Sequence, residues 1–63
     1  MLINNTPTPY EPLTLLDYLC QHGYNPQRVV IERGGEILTR ERFGEVALGE
    51  DDEINILQFM GGG

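Results

Sequence analysis

The stretch that decides the fold is Ile54-Asn55-Ile56-Leu57-Gln58-Phe59-Met60, followed directly by Gly61-Gly62-Gly63. Its β-branched and aromatic residues predict the most apolar strand of the chain, running over residues 53–60. Three consecutive glycines favour neither helix nor strand and are costly to order, so packing does not explain them. Because they lack Cβ atoms, Gly61 and Gly62 can pass through a narrow channel and place the α-carboxylate of Gly63 inside another protein. A frayed terminus or a leftover linker is the alternative.

One amphipathic helix is predicted upstream of this strand. Thr14, followed three residues later by Asp17, resembles a capping box. The helical face that follows is assigned Leu15, Leu16, Leu19 and Cys20. Gly23 supplies a left-handed residue that ends the helix near His22, after two to three turns. Cys20 is expected to be a buried core residue, because the chain places no activating base next to it.

The chain before the helix predicts a short strand, a turn and a second strand. Residues 1–4 form the first strand, and the asparagines and proline of residues 4–7 favour a turn. Residues 8–11 are predicted to form the second strand. Pro9 and Pro12 remove backbone donors there, which confines that strand to the edge of a sheet.

After the helix, residues 28–32 and 36–39 read as two antiparallel strands joined by the hairpin turn Gly34-Gly35. Residues 40–47 predict a single helical turn that is held in place by Phe43. The predicted order is strand, strand, helix, strand, strand, helical turn, strand. This order indicates an α+β fold with a mixed sheet of about five strands, one helix on one face and the last strand at the centre.

Because one helix covers one face of a sheet, the alternation of side chains divides the apolar residues into two sets. The helix-covered face is assigned Ile54, Ile56, Val29 and Ile31. The open face keeps Leu57, Phe59 and Val30. We interpret the open-face set as a partner-binding patch, although one-sided sheets commonly expose some apolar residues.

Composition limits what such a chain can do. Its 63 residues predict one small domain over residues 1–60 and a flexible glycine tail over 61–63. A net charge of −6 argues against nucleic acid and anionic membranes as partners. One cysteine, one histidine and no phosphate-binding loop leave little for a disulfide, a metal site or an enzyme active site. With neither a signal peptide nor an apolar span in the sequence, cytoplasmic residence is expected.

Several short motifs then stand in a familiar order. They are Val29-Val30-Ile31-Glu32-Arg33, Glu36-Ile37, Arg40-Glu41-Arg42-Phe43, Glu45-Val46 and the ending over residues 54–63. In this order, and with this chain length, the sequence resembles the ThiS sulfur carriers of thiamine biosynthesis. The resemblance covers the C-terminal half in register and the N-terminal half in layout. It departs from the family at Met60, at Gln58, in the acidic turn 50–52 and in the first turn, which lacks Asn-Gly.

The resemblance implies the ubiquitin-like β-grasp fold and a role for Gly63. In such carriers a ubiquitin-activating-type (ThiF-like) adenylyltransferase uses ATP to adenylate the terminal carboxylate. The acyl adenylate becomes a thiocarboxylate with sulfur from a cysteine-derived persulfide, and a ThiG-like thiazole synthase accepts that sulfur. The resemblance therefore implies a protein co-substrate that binds no cofactor itself.

Two alternatives stay open at this point. The first keeps the same chemistry but delivers sulfur to molybdopterin or to another sulfur-containing metabolite. The second is a ubiquitin-like binding module that acts through its open sheet face and needs no activated terminus. The acidic run over residues 50–53 is either a solvated turn or a surface that steers docking onto a basic partner.

Overall fold

The last strand, β5, runs over Glu53–Gln58 and lies at the centre of a five-stranded sheet. The computed structural model describes residues 1–59, so predictions for Met60 and for the tail lie outside the described residues. On one side β5 pairs in parallel with β1, Leu2–Ile3, and on the other it pairs antiparallel with β3, Val29–Arg33. The predicted central position of this strand and the mixed sheet are both confirmed.

The first hairpin differs from its prediction. Strand β2 runs over Thr6–Pro7, and the prediction of a strand over residues 8–11 is wrong. Asn4 and Asn5 both have positive φ, 53° and 63°, so they alone make a two-residue turn and the chain reverses at once. Leu2 therefore lies opposite Pro7. The predicted edge position of the second strand is confirmed.

The second hairpin agrees with its prediction. Strand β4, Glu36–Leu38, pairs antiparallel with β3 and forms the other edge of the sheet. Gly34 and Gly35 make the turn with φ of 58° and 84°. Residues with side chains adopt this backbone geometry only at a cost in energy, which accounts for a glycine pair here.

The helix α1, Leu15–Gln21, crosses one face of the sheet. At its start Thr14 Oγ1 accepts a hydrogen bond of 3.2 Å from the Asp17 N–H, as the capping pattern predicts. The N–H groups of Leu15 and Leu16 donate to carbonyls of the later segment 43–46, at 2.8 Å and 3.0 Å. Donors that a helix start normally leaves without partners are therefore satisfied by another part of the chain. Gly23, with φ of 82°, ends the helix as predicted.

The buried face of α1 is turned away from the predicted one. Its buried residues are Leu15, Tyr18 and Leu19. Cys20 is exposed, so the prediction of a core cysteine is wrong. At about 100° per residue, Cys20 lies roughly 140° around the helix from Leu15, whereas Tyr18 lies roughly 60° from it on the other side. The tyrosine ring, larger than a cysteine side chain, takes the core position.

The core lies between α1 and the sheet. Its fully buried side chains are Phe43, Leu15, Leu19, Ile31 and Ile54. Phe43 follows a short 3₁₀ turn over Arg40–Arg42, which confirms the predicted helical turn that an aromatic residue holds in place. The arrangement is the predicted β-grasp fold, a five-stranded mixed sheet with one helix on one face.

Candidate functional site

The chain reaches its glycine tail through β5. Gly61 and Gly62, predicted to pass through a channel, and Gly63, predicted to carry the reactive carboxylate, lie outside the described residues. The sheet pairing continues as far as Phe59, because the Phe59 N–H donates to the Arg28 carbonyl at 2.8 Å. The backbone leading to the tail is therefore held by the sheet as far as Phe59.

The predicted open-face residues lie together on the face opposite the helix. Val30 and Leu57 are direct cross-strand partners in the β3–β5 pair. Leu57 is 59% exposed and Phe59 is 61% exposed, while Val30 is half-buried. Ile54, Ile56 and Ile31 lie in the core, as predicted for the helix-covered face. The predicted role of the open-face residues in binding a partner stays a prediction.

Ile37 belongs to the same open face and was missed by the sequence reasoning. It is 65% exposed and lies opposite Glu32, which in turn lies opposite Asn55. Its neighbour Leu38 is buried in the core. The signal was available, because alternation along β4 places Ile37 on the open face once Leu38 is assigned to the core.

The open face divides into an apolar half and a polar half. Near the tail, the aliphatic pair Val30–Leu57 and the ring of Phe59 are accompanied by Arg28, which lies opposite Phe59. Farther from the tail, the Asn55 side-chain amide donates to Glu32 Oε1 at 3.0 Å. A partner docking here would meet apolar contacts beside the tail and hydrogen-bonding groups away from it.

Asn4 holds β5 from the side that faces β1. Its Oδ1 accepts from the Ile56 N–H at 2.7 Å, and its Nδ2 donates to the Ile56 carbonyl at 3.2 Å. Strand β1 contributes only two residues, so this side chain extends the contact between β1 and β5 by one more step. The strand that carries the tail is thereby held on both sides over much of its length.

The acidic turn before β5 is partly structural. Asp52 Oδ1 accepts from Arg33 Nη2 at 3.0 Å, and its Oδ2 accepts from the Gly49 N–H at 2.7 Å. Glu50, Asp51 and Glu53 are exposed. The charges of these three side chains face solvent, so they, rather than Asp52, can attract a basic partner surface.

The remaining titratable side chains do not converge on a reactive centre. His22 Nε2 lies 2.6 Å from Glu11 Oε2, and its ring stacks on Tyr18 with 4.1 Å between ring centroids. Burial, followed by the nearby Glu11 charge, raises the pKa of Tyr18. Over residues 1–59 no group of three or more His, Cys, Asp and Glu side chains could hold a metal ion. Within that same range, no helix has the length and apolar character that a membrane crossing requires.

Comparison with known proteins gives consistent results. The Bacillus subtilis sulfur carrier protein ThiS is 40% identical over 50 residues, which cover 79% of this chain and 76% of that protein. A thiazole synthase of Magnetococcus marinus is 37% identical over 62 residues, and the chain spans only 19% of its length. The crystal structure of the Geobacter metallireducens thiamine biosynthesis protein ThiS superposes with a TM-score of 0.79 at 30% identity, covering 98% of this chain and 96% of that one.

The family comparison covers nearly the whole sequence. The model of the ThiS family matches residues 2–63, which include the glycine tail as well as the sheet and the helix. The N-terminal half, in which the sequence showed only the layout of the family, is therefore included in the match. The chain belongs to the ThiS family.

Proposed function

We propose that this protein is a sulfur carrier of thiamine biosynthesis and that the α-carboxylate of Gly63 is its working group. The match of the family to residues 2–63 carries the proposal, because it joins the β-grasp domain to the glycine tail in one unit. The similarity to a sulfur carrier protein ThiS and to a segment of a thiazole synthase supports it. The carrier works in the cytoplasm, where ATP is available to the adenylating partner.

The chemistry needs little from this chain beyond a reachable carboxylate. In the active site of a ThiF-like adenylyltransferase, a carboxylate oxygen of Gly63 attacks the α-phosphorus of ATP, and pyrophosphate leaves. A cysteine-derived persulfide then attacks the acyl carbon and AMP leaves. A second thiol then attacks the cysteine sulfur of the resulting sulfur–sulfur bond and forms a disulfide with it, and the thiocarboxylate leaves. A carboxylate is a poor electrophile until it bears such a leaving group, which explains why a partner enzyme is required.

The protein acts in these steps as a co-substrate, and its own residues deliver the tail. Strand β5 holds the backbone up to Phe59, while Gly61 and Gly62 provide a thin connection to the reacting carboxylate. Thiazole synthase, the second partner, accepts the sulfur from the same end of the chain. Both partners therefore have to recognise the surface beside β5.

Leu57, Phe59 and Val30 form the docking surface in this proposal. Phe59 lies two residues before Gly61 and Leu57 lies four residues before it, and both side chains are exposed, so a partner that binds them also holds the backbone that leads to the tail. Apolar side chains that become fully desolvated at the centre of an interface carry much of its binding energy. We expect Phe59→Ala to weaken binding of the adenylating enzyme by about 1–3 kcal/mol. Leu16→Ala, an exposed change on the helix face, is the matched control.

The test is the intact mass of the chain after incubation with ATP, the cognate adenylating enzyme and a persulfide sulfur donor. We expect one oxygen of the chain to be replaced by one sulfur. Deleting Gly63 shortens the tail by one residue and is expected to abolish the product, with circular dichroism showing that the domain is unchanged. A chain without Gly63 that is thiocarboxylated as fast as the full chain contradicts the proposal.

Variants of this experiment distinguish the proposed function from the two alternatives. A binding module that needs no activated terminus would keep its partner when the C-terminal carboxylate is blocked, and would lose it with Phe59→Ala. A carrier for molybdopterin would pass its sulfur to a molybdopterin synthase large subunit rather than to thiazole synthase. Reconstitution with each acceptor therefore decides which product is made.

A further inference from the structure

The register of β5 determines where each of its peptide groups points. The bond from the Phe59 N–H to the Arg28 carbonyl makes these two residues a hydrogen-bonded pair across β3 and β5. Such pairs alternate along an antiparallel ladder, so Leu57 and Asn55 also direct their peptide groups toward β3. Ile54, Ile56 and Gln58 direct theirs to the opposite side, toward β1. The bond of 2.9 Å from the Asn4 N–H to the Ile54 carbonyl agrees with this assignment.

Strand β1 covers only part of that side. It pairs with Glu53 and Ile54, and the chain then turns away at Asn4 and Asn5. The Asn4 carboxamide bonds both the N–H and the carbonyl of Ile56, as the peptide group of a further strand residue would. Among residues 1–59, partners on the β1 side of β5 thus extend as far as Ile56 and no farther.

Gln58 comes one step later on the same side. The residue is exposed, and no other described residue provides a backbone partner for its N–H and carbonyl on that side. Peptide groups at an exposed strand edge are a template for pairing with another extended chain. The vacant position is in line with β1 and directly beside the backbone that leads to the tail.

We propose that an extended segment of the adenylating enzyme fills this position and pairs with the main chain of Gln58. The inference rests on the proposed function, since it names how that partner grips the tail. Cross-strand neighbours share a face, so the segment would present apolar side chains to Leu57 and Phe59 on the open face. It would carry no proline at the residue that bonds Gln58, because that residue must donate an N–H.

The outer edge of β4 is the competing place for a partner strand. The two-residue turn Gly34-Gly35 makes Arg33 and Glu36 a hydrogen-bonded pair, so the Ile37 peptide groups point outward. Ile37 lies in register with Asn55, which is three residues before Gln58 along β5. A strand bound there would be about 10 Å farther from the tail along the strand direction, and both β3 and β4 would separate it from β5. Such a strand could not align the tail.

The experiment uses the full chain made by chemical synthesis, which its length of 63 residues permits. One product carries an N-methyl group on the Gln58 peptide nitrogen, and the matched control carries it on the Ile37 nitrogen. Both groups point away from the neighbouring strands of the chain, so thermal melting should be unchanged in each. We expect N-methylation at Gln58 to weaken binding of the cognate adenylating enzyme at least about tenfold, since it removes a hydrogen bond and blocks the position. The Ile37 product should bind within about twofold of the unmodified chain.

Amide exchange gives a second measurement that needs no modified chain. Binding of the adenylating enzyme should slow hydrogen exchange at the Gln58 amide and leave the Ile37 amide unaffected. Normal binding and thiocarboxylation after N-methylation of Gln58, or protection at Ile37 instead, overturns this inference and leaves the proposed function intact. An unmodified chain that receives no sulfur overturns the proposed function and this inference with it.

Discussion

Asn4 offers the most direct test of how the tail-bearing strand is held. Its carboxamide makes two hydrogen bonds to the Ile56 main chain, at 2.7 Å and 3.2 Å, from a residue with φ of 53°. Asn4→Gly removes both bonds but keeps the left-handed backbone free of strain, and two bonds contribute about 1–2 kcal/mol net. Asn4→Ala removes the same bonds and adds about 1 kcal/mol of left-handed strain. Against a total stability of roughly 3–9 kcal/mol for a domain of this size, both losses are large.

Thermal and urea unfolding followed by circular dichroism measure these losses. At about 4–8 °C per kcal/mol, Tm should fall by roughly 4–16 °C for Asn4→Gly and by several degrees more for Asn4→Ala. Asn5→Gly is the matched control, because Asn5 has φ of 63° and should tolerate glycine with little change. If Asn4→Gly melts at the same temperature as the unchanged chain, the two hydrogen bonds of the carboxamide contribute nothing to stability.

Three further predictions concern the core, the turns and alkaline pH. Phe43 is 1% exposed, so Phe43→Ala should lower the free energy of unfolding by about 3–5 kcal/mol and leave much of the chain unfolded by circular dichroism. The exposed control Phe59→Ala should stay folded, and equal stability of the two variants would contradict the burial of Phe43. Gly35→Ala should lower the free energy of unfolding by about 1 kcal/mol because φ is 84°, while Gly44→Ala, whose new Cβ would lie 3.7 Å from Leu16 Cδ2, should be nearly neutral in urea unfolding. Burial raises the pKa of Tyr18 above its usual value, so the contribution of Tyr18 to stability is complete below pH 10 and is lost as pH rises through the raised pKa. Above pH 10 the free energy of unfolding in urea should therefore fall less steeply with pH in Tyr18→Phe than in the unchanged chain, and an equally steep fall would exclude Tyr18 as the cause.

Features that depend on residues a few positions apart could be predicted from the sequence. The pair Gly34-Gly35 between two β-branched runs indicated a hairpin, and the apolar alternation from Ile54 to Phe59 indicated a central strand with one covered and one open face. Each of these inferences uses only residues a few positions apart, and backbone sterics or side-chain direction then allow few alternatives.

Features that depend on contacts between distant segments could not be predicted. Tyr18 and Cys20 both fit a helical periodicity, and the choice between them depends on how the helix is seated on the sheet. The local pattern predicts the second strand too late in the chain, because the turn residues extend from Asn4 to Pro7 and only the backbone shows that Asn4 and Asn5 make the turn alone. The bond between Asn4 and Ile56 joins residues 52 positions apart, and no local pattern signals it.

The candidate site divides in the same way. Alternation along the last strand alone predicts Leu57 and Phe59 on the open face, whereas Ile37 follows only once Leu38 is known to lie in the core. The vacant position beside Gln58 follows only from the register between β1 and β5, which is short because β1 ends at the Asn4 turn. Register across a sheet depends on tertiary packing, so this part of the site required the structure.

The central position of β5 also has a consequence for the synthesis of the protein. The first two strands form one hairpin and β3 with β4 another, and β5 alone joins the two hairpins into a sheet. Before residues 53–58 have been synthesised, the chain can pair its strands only as two separate hairpins, each too small to be stable by itself. Folding therefore waits until β5, the last strand that the structure describes, has been synthesised. A nascent chain that stops before β5 lacks the docking surface as well as the sheet, so folding and the presentation of the tail depend on the same six residues.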